Sequence, residues 1–162
     1  MTEKKYIIRE IEERDDSAVE GVIRACLIEY GGNREGTAWC DPDLCRFSQV
    51  YCDETNKYWV AEDCEGKIIG GVGIGGKGFP DGVCELQKMY CLPEARGLGL
   101  GLCLMDTAIN YARKYYKVCF LETLENMTRA QRFYEKYGFQ RTEERVAETE
   151  HFACGVRYLL RF

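Results

Sequence analysis

Residues 84–101 read CELQKMYCLPEARGLGLG, and this stretch decides the fold. It predicts a β-strand from about 83 to 92, then Pro93, then a helical pattern of apolar residues over 98–114. Where the strand and the helix meet, an arginine precedes three glycines. A glycine-rich turn that opens a helix presents backbone N–H groups to an anion, because the helix N-terminus carries unpaired donors and the positive end of the helix dipole. The stretch therefore predicts a strand–turn–helix unit that binds an anionic group.

The periodicity of apolar residues predicts the other elements. Asp15 and Asp16 offer N-caps to a first helix, and Asp41 with Pro42 opens a second, short one. Gly138 is suited to end the last helix. Strands are predicted at 5–11, 58–62, 67–74, 83–92 and 118–124 and within 139–148 and 151–162, and helices after 15–16, after 41–42, at 98–114 and at 127–137. The pattern is that of an α+β protein with a central mixed sheet.

Length and composition indicate one soluble domain spanning residues 1–162, with 30 % charged and 46 % hydrophobic residues. The net charge of -5 argues against a nucleic-acid partner, which usually requires a basic face. No segment approaches the roughly 20 apolar residues of a membrane span, so no membrane partner is expected. The N-terminus lacks the apolar run of a signal peptide. A cytoplasmic location is therefore expected.

The ten cysteines do not predict a metal site or a disulfide framework. No C-x-x-C occurs, and the chain has a single histidine, His151. Most of the cysteines lie among apolar residues, where cysteine behaves as a small hydrophobic side chain. Reduced thiols and no bound metal are therefore expected.

The glycines do not fit two common phosphate-binding motifs. A P-loop needs a lysine and a serine or threonine after its last glycine, whereas Gly101 precedes Leu102 and Cys103. A dinucleotide-binding turn has the spacing G-x-G-x-x-G, whereas the spacing here is G-x-G-x-G. Taken alone, the glycines could equally serve tight packing of the strand on the helix.

Two spaced motifs indicate a family. Residues 96–101 fit R-x-x-G-x-G, and Ala130, Tyr134 and Gly138-Phe139 follow with the spacing A-x-x-x-Y-x-x-x-G-F. With these motifs the chain resembles the GNAT superfamily of acyl-CoA-dependent N-acetyltransferases, clearly from about 58 to 139. The resemblance implies an α+β fold of three layers (α/β three-layer). Its central mixed, mostly antiparallel sheet is flanked by four helices, in the order β-α-α-β-β-β-α-β-α-β-β.

The resemblance implies that acetyl-CoA is the co-substrate, with no metal. Its pyrophosphate would bind the N–H groups of the glycine turn, and the pantetheine arm would lie beside the end of the fourth strand. Many members carry a pantetheine-binding asparagine seven residues before the tyrosine, but Met127 stands there and Asn126 precedes it. Which of the two contacts the pantetheine stays open. The implied coenzyme-binding residues are Met89, Tyr90, Cys91, Arg96, Gly97, Leu98, Gly99, Leu100, Gly101, Asn126 and Met127.

The resemblance also implies catalytic residues. Glu85 matches a catalytic glutamate of the histone acetyltransferase branch, and strand alternation puts residues 85, 87, 89 and 91 on one face. Glu122 on the next strand is the alternative base, and an N–H near Met89 would stabilise the oxyanion. Tyr134 matches the family tyrosine that protonates the coenzyme sulfur; its alternative role is core packing. Cys91 and Cys154 are candidate nucleophiles only if transfer is not direct.

The expected acceptor is a primary amine of a small molecule, amino acid or peptide. In the family the first two helices, the following loop and the final hairpin meet the acceptor, so His151 also borders this site. A non-catalytic acyl-CoA-binding sensor and an interaction domain are the alternatives, and a homodimer is left open. The residues expected near the acceptor are Glu29, Tyr30, Asn33, Arg34, Glu35, Trp39, Asp41, Asp43 and Tyr51.

Overall fold

The predicted order of strands and helices is confirmed in a computed structural model, which describes residues 5–147 and 151–162. The helices are α1 (Asp16–Glu29), α2 (Phe47–Val50), α3 (Leu100–Tyr115) and α4 (Thr128–Tyr137). The strands are β1 (Tyr6–Glu10), β2 (Asn56–Asp63), β3 (Ile68–Gly75), β4 (Val83–Cys91), β5 (Val118–Thr123), β6 (Gln140–Thr142) and β7 (Val156–Arg161). Residue 148, the end of the range predicted to hold the sixth strand, lies outside the described residues.

The strands of the described residues form one sheet in the order β1-β2-β3-β4-β5-β7-β6. Neighbouring strands are antiparallel except β4 and β5, which confirms the mixed, mostly antiparallel sheet. The parallel pairing is short, because only residues 83–85 of β4 pair with 118–120 of β5. Beyond Glu85 the two strands separate and leave a wedge between their carboxyl ends. This wedge is the point in the fold at which a ligand can reach backbone groups of the sheet.

Two apolar clusters on opposite faces of the sheet confirm the three layers. In the first cluster, residues of α1 and α2 pack against Tyr58, Val60 and Ile68 of the sheet. In the second, residues of α3 and α4 pack against the other face, which includes Trp59 and Ala61. Alternate residues of β2 thus serve opposite clusters, as expected for a strand that is covered on both sides.

The prediction that Asp15 and Asp16 cap α1 with their side chains is wrong. The Asp15 carboxylate accepts hydrogen bonds from the Arg9 guanidinium at 2.7 and 2.9 Å. Asp16 accepts hydrogen bonds from the N–H of Ser48 at 2.8 Å and from its hydroxyl at 2.6 Å. Asp16 therefore caps the first turn of α2, 32 residues away. Asp15 is thus taken by Arg9 on the preceding strand and Asp16 by a distant residue, so neither side chain caps α1.

The prediction that Asp41 and Pro42 open the second helix is also wrong. Residues 42–45 form turns, and α2 begins only at Phe47. Thr37 instead caps a short 3-10 turn at residues 38–40, where its hydroxyl accepts a hydrogen bond from the N–H of Trp39 at 3.2 Å. The Asp41 side chain faces the interior of the protein, where it has charged partners described below.

A β-bulge interrupts β4. Gln87 lies opposite Gly73, but the next paired residue, Tyr90, lies opposite Gly71. Two residues of β4 therefore occupy a step that takes one residue of β3. One of them, Lys88, has a φ of 50°, and it is the only residue other than glycine with positive φ in the described ranges. A bulge re-aims the side chains that follow it.

The bulge corrects the predicted face of the site residues. Glu85 and Gln87 share a face with Tyr90, which packs against the α1 and α2 cluster. Met89 and Cys91 pack instead with the α3 and α4 cluster. The prediction that residues 85, 87, 89 and 91 share one face is wrong because the extra residue inverts the alternation.

Three further observations concern membrane spans, disulfides and metal sites. None of the helices in the described ranges combines the length and the apolar character needed to cross a membrane. All ten cysteines lie within these ranges, and no disulfide joins any two of them there. The same residues contain no group of three or more His, Cys, Asp or Glu side chains that could hold a metal ion.

Candidate active site

Two cavities meet at the wedge between β4 and β5. The groove, of about 350 Å³, lies between the glycine turn, the end of β4 and α4. The inner cavity, of about 60 Å³, lies between β4, β5 and the segment that precedes β7. Four residues line both of them and so mark the junction: Met89, Tyr90, Met127 and Tyr134. A long ligand in the groove would thus present its end to a second ligand in the inner cavity.

The glycine turn is shaped for a close approach of a ligand to the backbone. Gly97 and Gly99 have φ values of 78° and 79°, a region that favours glycine. A Cβ atom at either position would meet nothing within 4 Å, so the conformation and not the space selects glycine. α3 begins at Leu100, and the N–H groups of a first helical turn have no partner within the helix. The turn is therefore suited to bind an anion.

Arg96 is bound within the protein. Its guanidinium donates to both carboxylate oxygens of Glu29, at 2.7 and 2.8 Å, and its Nε donates to the Cys91 carbonyl at 3.0 Å. The hydrogen bonds from Arg96 lower the pKa of Glu29. The Arg96 N–H donates to the Pro93 carbonyl at 3.2 Å. Arg96 thus connects the end of α1 to the glycine turn, and it also lines the groove.

Asn126 and Met127 occupy different places. The Asn126 amide donates to the Tyr30 carbonyl at 2.7 Å, at the end of α1. Met127 lines both cavities, with its sulfur 3.6 Å from the hydroxyl of Thr123. Met127 lines the groove, whereas Asn126 does not.

Glu85 lines the inner cavity and is the last residue of β4 that pairs with β5. Burial raises the pKa of Glu85 to about 7, although the charge of Lys88 and a hydrogen bond from Gln87 act in the opposite direction. A carboxylate with a pKa near the working pH is an effective proton acceptor. Glu85 thus has the position and the basicity that a general base requires.

Glu122, the alternative base, lines the same cavity but faces a guanidinium. The Nε of Arg157 donates to its carboxylate at 3.1 Å, and both side chains are largely buried. The Glu122 carboxylate is therefore engaged in an ion pair within the protein. Glu85, whose pKa is raised by burial, is the stronger candidate for the base.

Tyr134 lies at the junction of the two cavities, and 8 % of its surface is exposed. Its ring packs against Phe139 and Tyr158, with ring centroids 6.0 Å apart in each pair. Burial raises the pKa of Tyr134 above its usual value, so the hydroxyl keeps its proton at neutral pH. Core packing and proton donation, the two roles considered for Tyr134, are therefore compatible.

The two candidate nucleophilic cysteines are poor nucleophiles. Cys91 lines the groove and Cys154 the inner cavity. Burial raises the pKa of Cys91 to about 12 and that of Cys154 to about 11. Both groups are thus thiols at neutral pH, whereas the thiolate is the reactive form.

A charged group at the inner cavity joins Asp41 and His151, which were expected near the acceptor, to Lys88, which was not. The Nζ of Lys88 lies 2.5 Å from one oxygen of Asp41, and the Nε2 of His151 lies 2.7 Å from the other. The two nitrogens are 3.4 Å apart. Burial would raise the pKa of Asp41, but hydrogen bonds from His151 and Lys88 and the Lys88 charge lower it overall. Lys88 and His151 line the cavity, with Asp41 behind them.

Two buried tyrosines hold the bulge beside this group. The Tyr58 hydroxyl donates to the Lys88 carbonyl at 2.8 Å, and the Tyr51 hydroxyl donates to the Gln87 side chain at 2.7 Å. Both rings lie over Gly73, where a Cβ atom would stand 2.8 Å from Tyr58 and 3.1 Å from Tyr51. The glycines of β3 therefore make room for the rings that position the cavity wall.

The other residues expected near the acceptor are more dispersed. Trp39 stacks under the Arg24 guanidinium, 4.6 Å from its ring centroid, and Asp43 pairs with Arg46. Tyr30 lines the groove, on the coenzyme side. Arg129 also lines the groove, and sequence reasoning missed it because an exposed helical arginine carries no distinguishing signal.

Comparisons with known proteins agree with this geometry. A family model described as "Acetyltransferase (GNAT) domain" matches residues 54–141. The uncharacterized N-acetyltransferase YjgM of Escherichia coli strain K12 is 38% identical over 156 residues, which cover 94% of this chain and 93% of that protein. The chain therefore belongs to the GNAT acetyltransferase family, and its enzyme class is acyltransferase.

Solved structures support the fold. An acetyltransferase of the GNAT family from Staphylococcus aureus Mu50 superposes with a TM-score of 0.86 at 19% identity, covering 96% of this chain and 98% of that one. A predicted acetyltransferase from Clostridium acetobutylicum, solved with acetyl-CoA, superposes with a TM-score of 0.69 at 25% identity, covering 89% and 96%. The three-layer GNAT fold predicted from the motifs is confirmed.

Proposed function

We propose that this protein transfers the acetyl group of acetyl-CoA directly to a primary amine of a small molecule, amino acid or peptide. The observation that carries the proposal is the junction of the two cavities at Tyr134. The groove on one side contains the glycine turn, and the inner cavity on the other contains Glu85. A proton donor thus lies between an anion-binding turn and a proton acceptor.

The chemistry of the groove suits coenzyme A. The N–H groups of the turn at 97–101 and the Arg129 guanidinium would bind the pyrophosphate and other phosphate groups. Met89 and Met127 offer an apolar surface to the pantetheine arm, and the backbone at the end of β4 offers hydrogen bonds. The thioester would then lie at the junction, within reach of Tyr134.

The residues at the junction supply the proton transfers of acyl transfer to an amine. Glu85 takes the proton from the attacking amine, either directly or through one water. An N–H at the bulge near Met89 stabilises the negative charge that develops on the carbonyl oxygen. Tyr134 donates its proton to the departing sulfur and regains one from solvent. The C–N bond forms first and the C–S bond then breaks, so the acetyl group passes directly to the amine with no covalent enzyme intermediate.

The proposal is tested by thiol release. The wild-type protein is mixed with acetyl-CoA and a library of primary amines, free thiol is followed over time, and acetylated amine is identified by mass spectrometry. We expect amine-dependent release with at least one acceptor. A slow release that no amine accelerates would favour the sensor alternative.

Replacement of Tyr134 by phenylalanine is expected to lower kcat by about a factor of 100, within the usual range for loss of a general acid. Coenzyme affinity should change little, because the ring contacts with Phe139 and Tyr158 remain. Tyr137→Phe is the matched control, since that hydroxyl lies on the same helix and bonds to Asp106. An unchanged kcat in Tyr134→Phe would refute the role.

Replacement of Glu29 by glutamine tests how Arg96 acts. If Arg96 holds the turn through Glu29, the substitution should weaken coenzyme A binding about fivefold, the scale of a partly exposed ion pair. If Arg96 instead binds phosphate directly, its release from Glu29 should leave affinity unchanged or improve it. Glu94→Gln is the control, because Glu94 pairs with the exposed Lys67 beside the same turn. Calorimetric titration distinguishes the two outcomes.

A further inference from the structure

Within the group formed by Lys88, Asp41 and His151, the Lys88 ammonium has more hydrogen-bond donors than the group uses. Asp41 is ionised and can only accept, so the proton at Nε2 of His151 points to it. That nitrogen therefore cannot accept from Lys88, although the two lie 3.4 Å apart. Of the three ammonium donors of Lys88, Asp41 takes one. The other two have no acceptor among the described residues.

The backbone of Lys88 is also strained where this residue lines the inner cavity. Its φ of 50° is disfavoured for a residue with a side chain, and strain of this kind is usually retained where a function requires it. Its side chain is 12 % exposed, so water satisfies the remaining donors poorly. An ammonium that is constrained in a cavity wall with free donors is suited to bind an anionic oxygen.

Lys88 and His151 also lie near the proposed base. Lys88, His151 and Glu85 all line the inner cavity, so the three groups face a common space. An acceptor with a carboxylate close to its amine would place the carboxylate at Lys88 and the amine at Glu85. The inner cavity of about 60 Å³ has room only for such a compact head group, and the rest of the acceptor would extend outward.

We propose that the inner cavity selects acceptors that carry a carboxylate beside the primary amine, as α-amino acids do, and that Lys88 binds this carboxylate. The inference rests on the proposed function and narrows its acceptor class. A polycation without a carboxylate is disfavoured, because its charges would meet Lys88 and His151 in a confined space. Asp41 is a positioning residue that holds the Lys88 and His151 side chains toward the cavity.

The test compares the binding of acids with that of their primary amides, which differ mainly in the charge at the carboxyl group. The probes are L-alanine, L-serine, L-glutamate, L-lysine and L-phenylalanine, each with its α-amide. They are titrated calorimetrically into full-length protein that has first been saturated with coenzyme A. We expect at least one acid to bind about tenfold to a hundredfold more tightly than its amide, the range for a hydrogen bond to a charged group.

Two variants assign this preference to Lys88. Lys88→Met should reduce the ratio of acid to amide affinity to about one, and it keeps an unbranched side chain at the strained position. Lys88→Met combined with Asp41→Asn should do the same without leaving an unpaired buried carboxylate, so the test survives if the single variant folds poorly. Lys67→Met, which removes a lysine paired with Glu94 outside the cavities, should keep the preference.

The outcomes separate this inference from the proposed function. Three results would overturn the carboxylate site alone, provided that coenzyme A binds. They are equal affinity for acids and amides, no binding of any acid, or a preference for acids that survives in both Lys88 variants. Absence of coenzyme A binding to the wild-type protein would overturn the proposed function, and this inference with it.

Discussion

Replacement of Glu85 by glutamine is expected to lower kcat by about a factor of 1,000, the middle of the range for loss of a positioned general base. Glutamine keeps the size of the side chain and its capacity for a hydrogen bond with Gln87, so the cavity should keep its shape. What disappears is the ability to accept a proton from the amine. The measurement is the initial rate of acetyl transfer to the best acceptor of the amine library at saturating acetyl-CoA.

The pH profile gives the same prediction a second readout. The general base acts in its ionised form, so kcat/KM of the wild-type protein should rise with pH. The rise due to Glu85 should level off above about pH 7, because the pKa of this side chain is about 7 and its ionisation is then complete. In Glu85→Gln the inflection near pH 7 should vanish, whereas the ionisation of the amine itself should remain. A variant that keeps this inflection would show that another group titrates.

Stability provides the control for Glu85→Gln. Because the pKa of Glu85 in the folded protein is about 7 and its ordinary value is 4.5, the native state binds the extra proton between these values. The free energy of unfolding therefore falls as pH rises through this window, and the glutamine variant should lack that contribution.

Glu122→Gln is the variant with which the kcat of Glu85→Gln is compared. A loss of kcat in Glu122→Gln with full activity in Glu85→Gln would transfer the role to Glu122.

Replacement of Gly99 by glutamate is expected to weaken coenzyme A binding by more than about a hundredfold, as loss of charge-assisted hydrogen bonds and a new like charge act together. Gly99 precedes α3 with a φ of 79°, so a side chain strains the turn and redirects its N–H groups. The added carboxylate would also lie in the groove, where the pyrophosphate is expected. Calorimetric titration with coenzyme A measures the loss.

Gly78→Glu is the matched control for Gly99→Glu. Gly78 has a φ of 85°, and a Cβ atom there also meets nothing within 4 Å, so the backbone strain is comparable. Gly78 does not line the groove or the inner cavity. Equal losses of coenzyme affinity in the two variants, or none in Gly99→Glu, would refute a phosphate site at the turn.

The elements could be predicted from the sequence because their signals are local. The apolar run of β5, the periodic apolar residues of α3 and the glycine that ends α4 each lie within a few residues of the element they define. The glycine turn was found for the same reason, and its spacing with Tyr134 identified the family. The positions of Glu85 and Tyr134 beside a cavity follow from that family pattern together with the strand order.

The remaining site features depend on contacts between distant residues. Lys88 enters the inner cavity only because a bulge inverts the face of β4, and that bulge is held by the Tyr58 hydroxyl from β2. Asp41 and His151 are 110 residues apart and meet through the fold. Arg96 lines the groove, as expected, but its carboxylate partner Glu29 is 67 residues earlier. No local pattern in the sequence encodes these pairs.

The central claim is that the groove beside the glycine turn binds coenzyme A, and a calorimetric titration of the wild-type protein tests it most directly. Coenzyme A and acetyl-CoA are compared with NAD and ATP, which carry phosphates but no pantetheine arm. We expect saturable binding of the two coenzyme A species only. If neither binds at millimolar concentration, or if NAD or ATP binds equally well, the glycines serve packing or another ligand, and the account of acetyl transfer is contradicted.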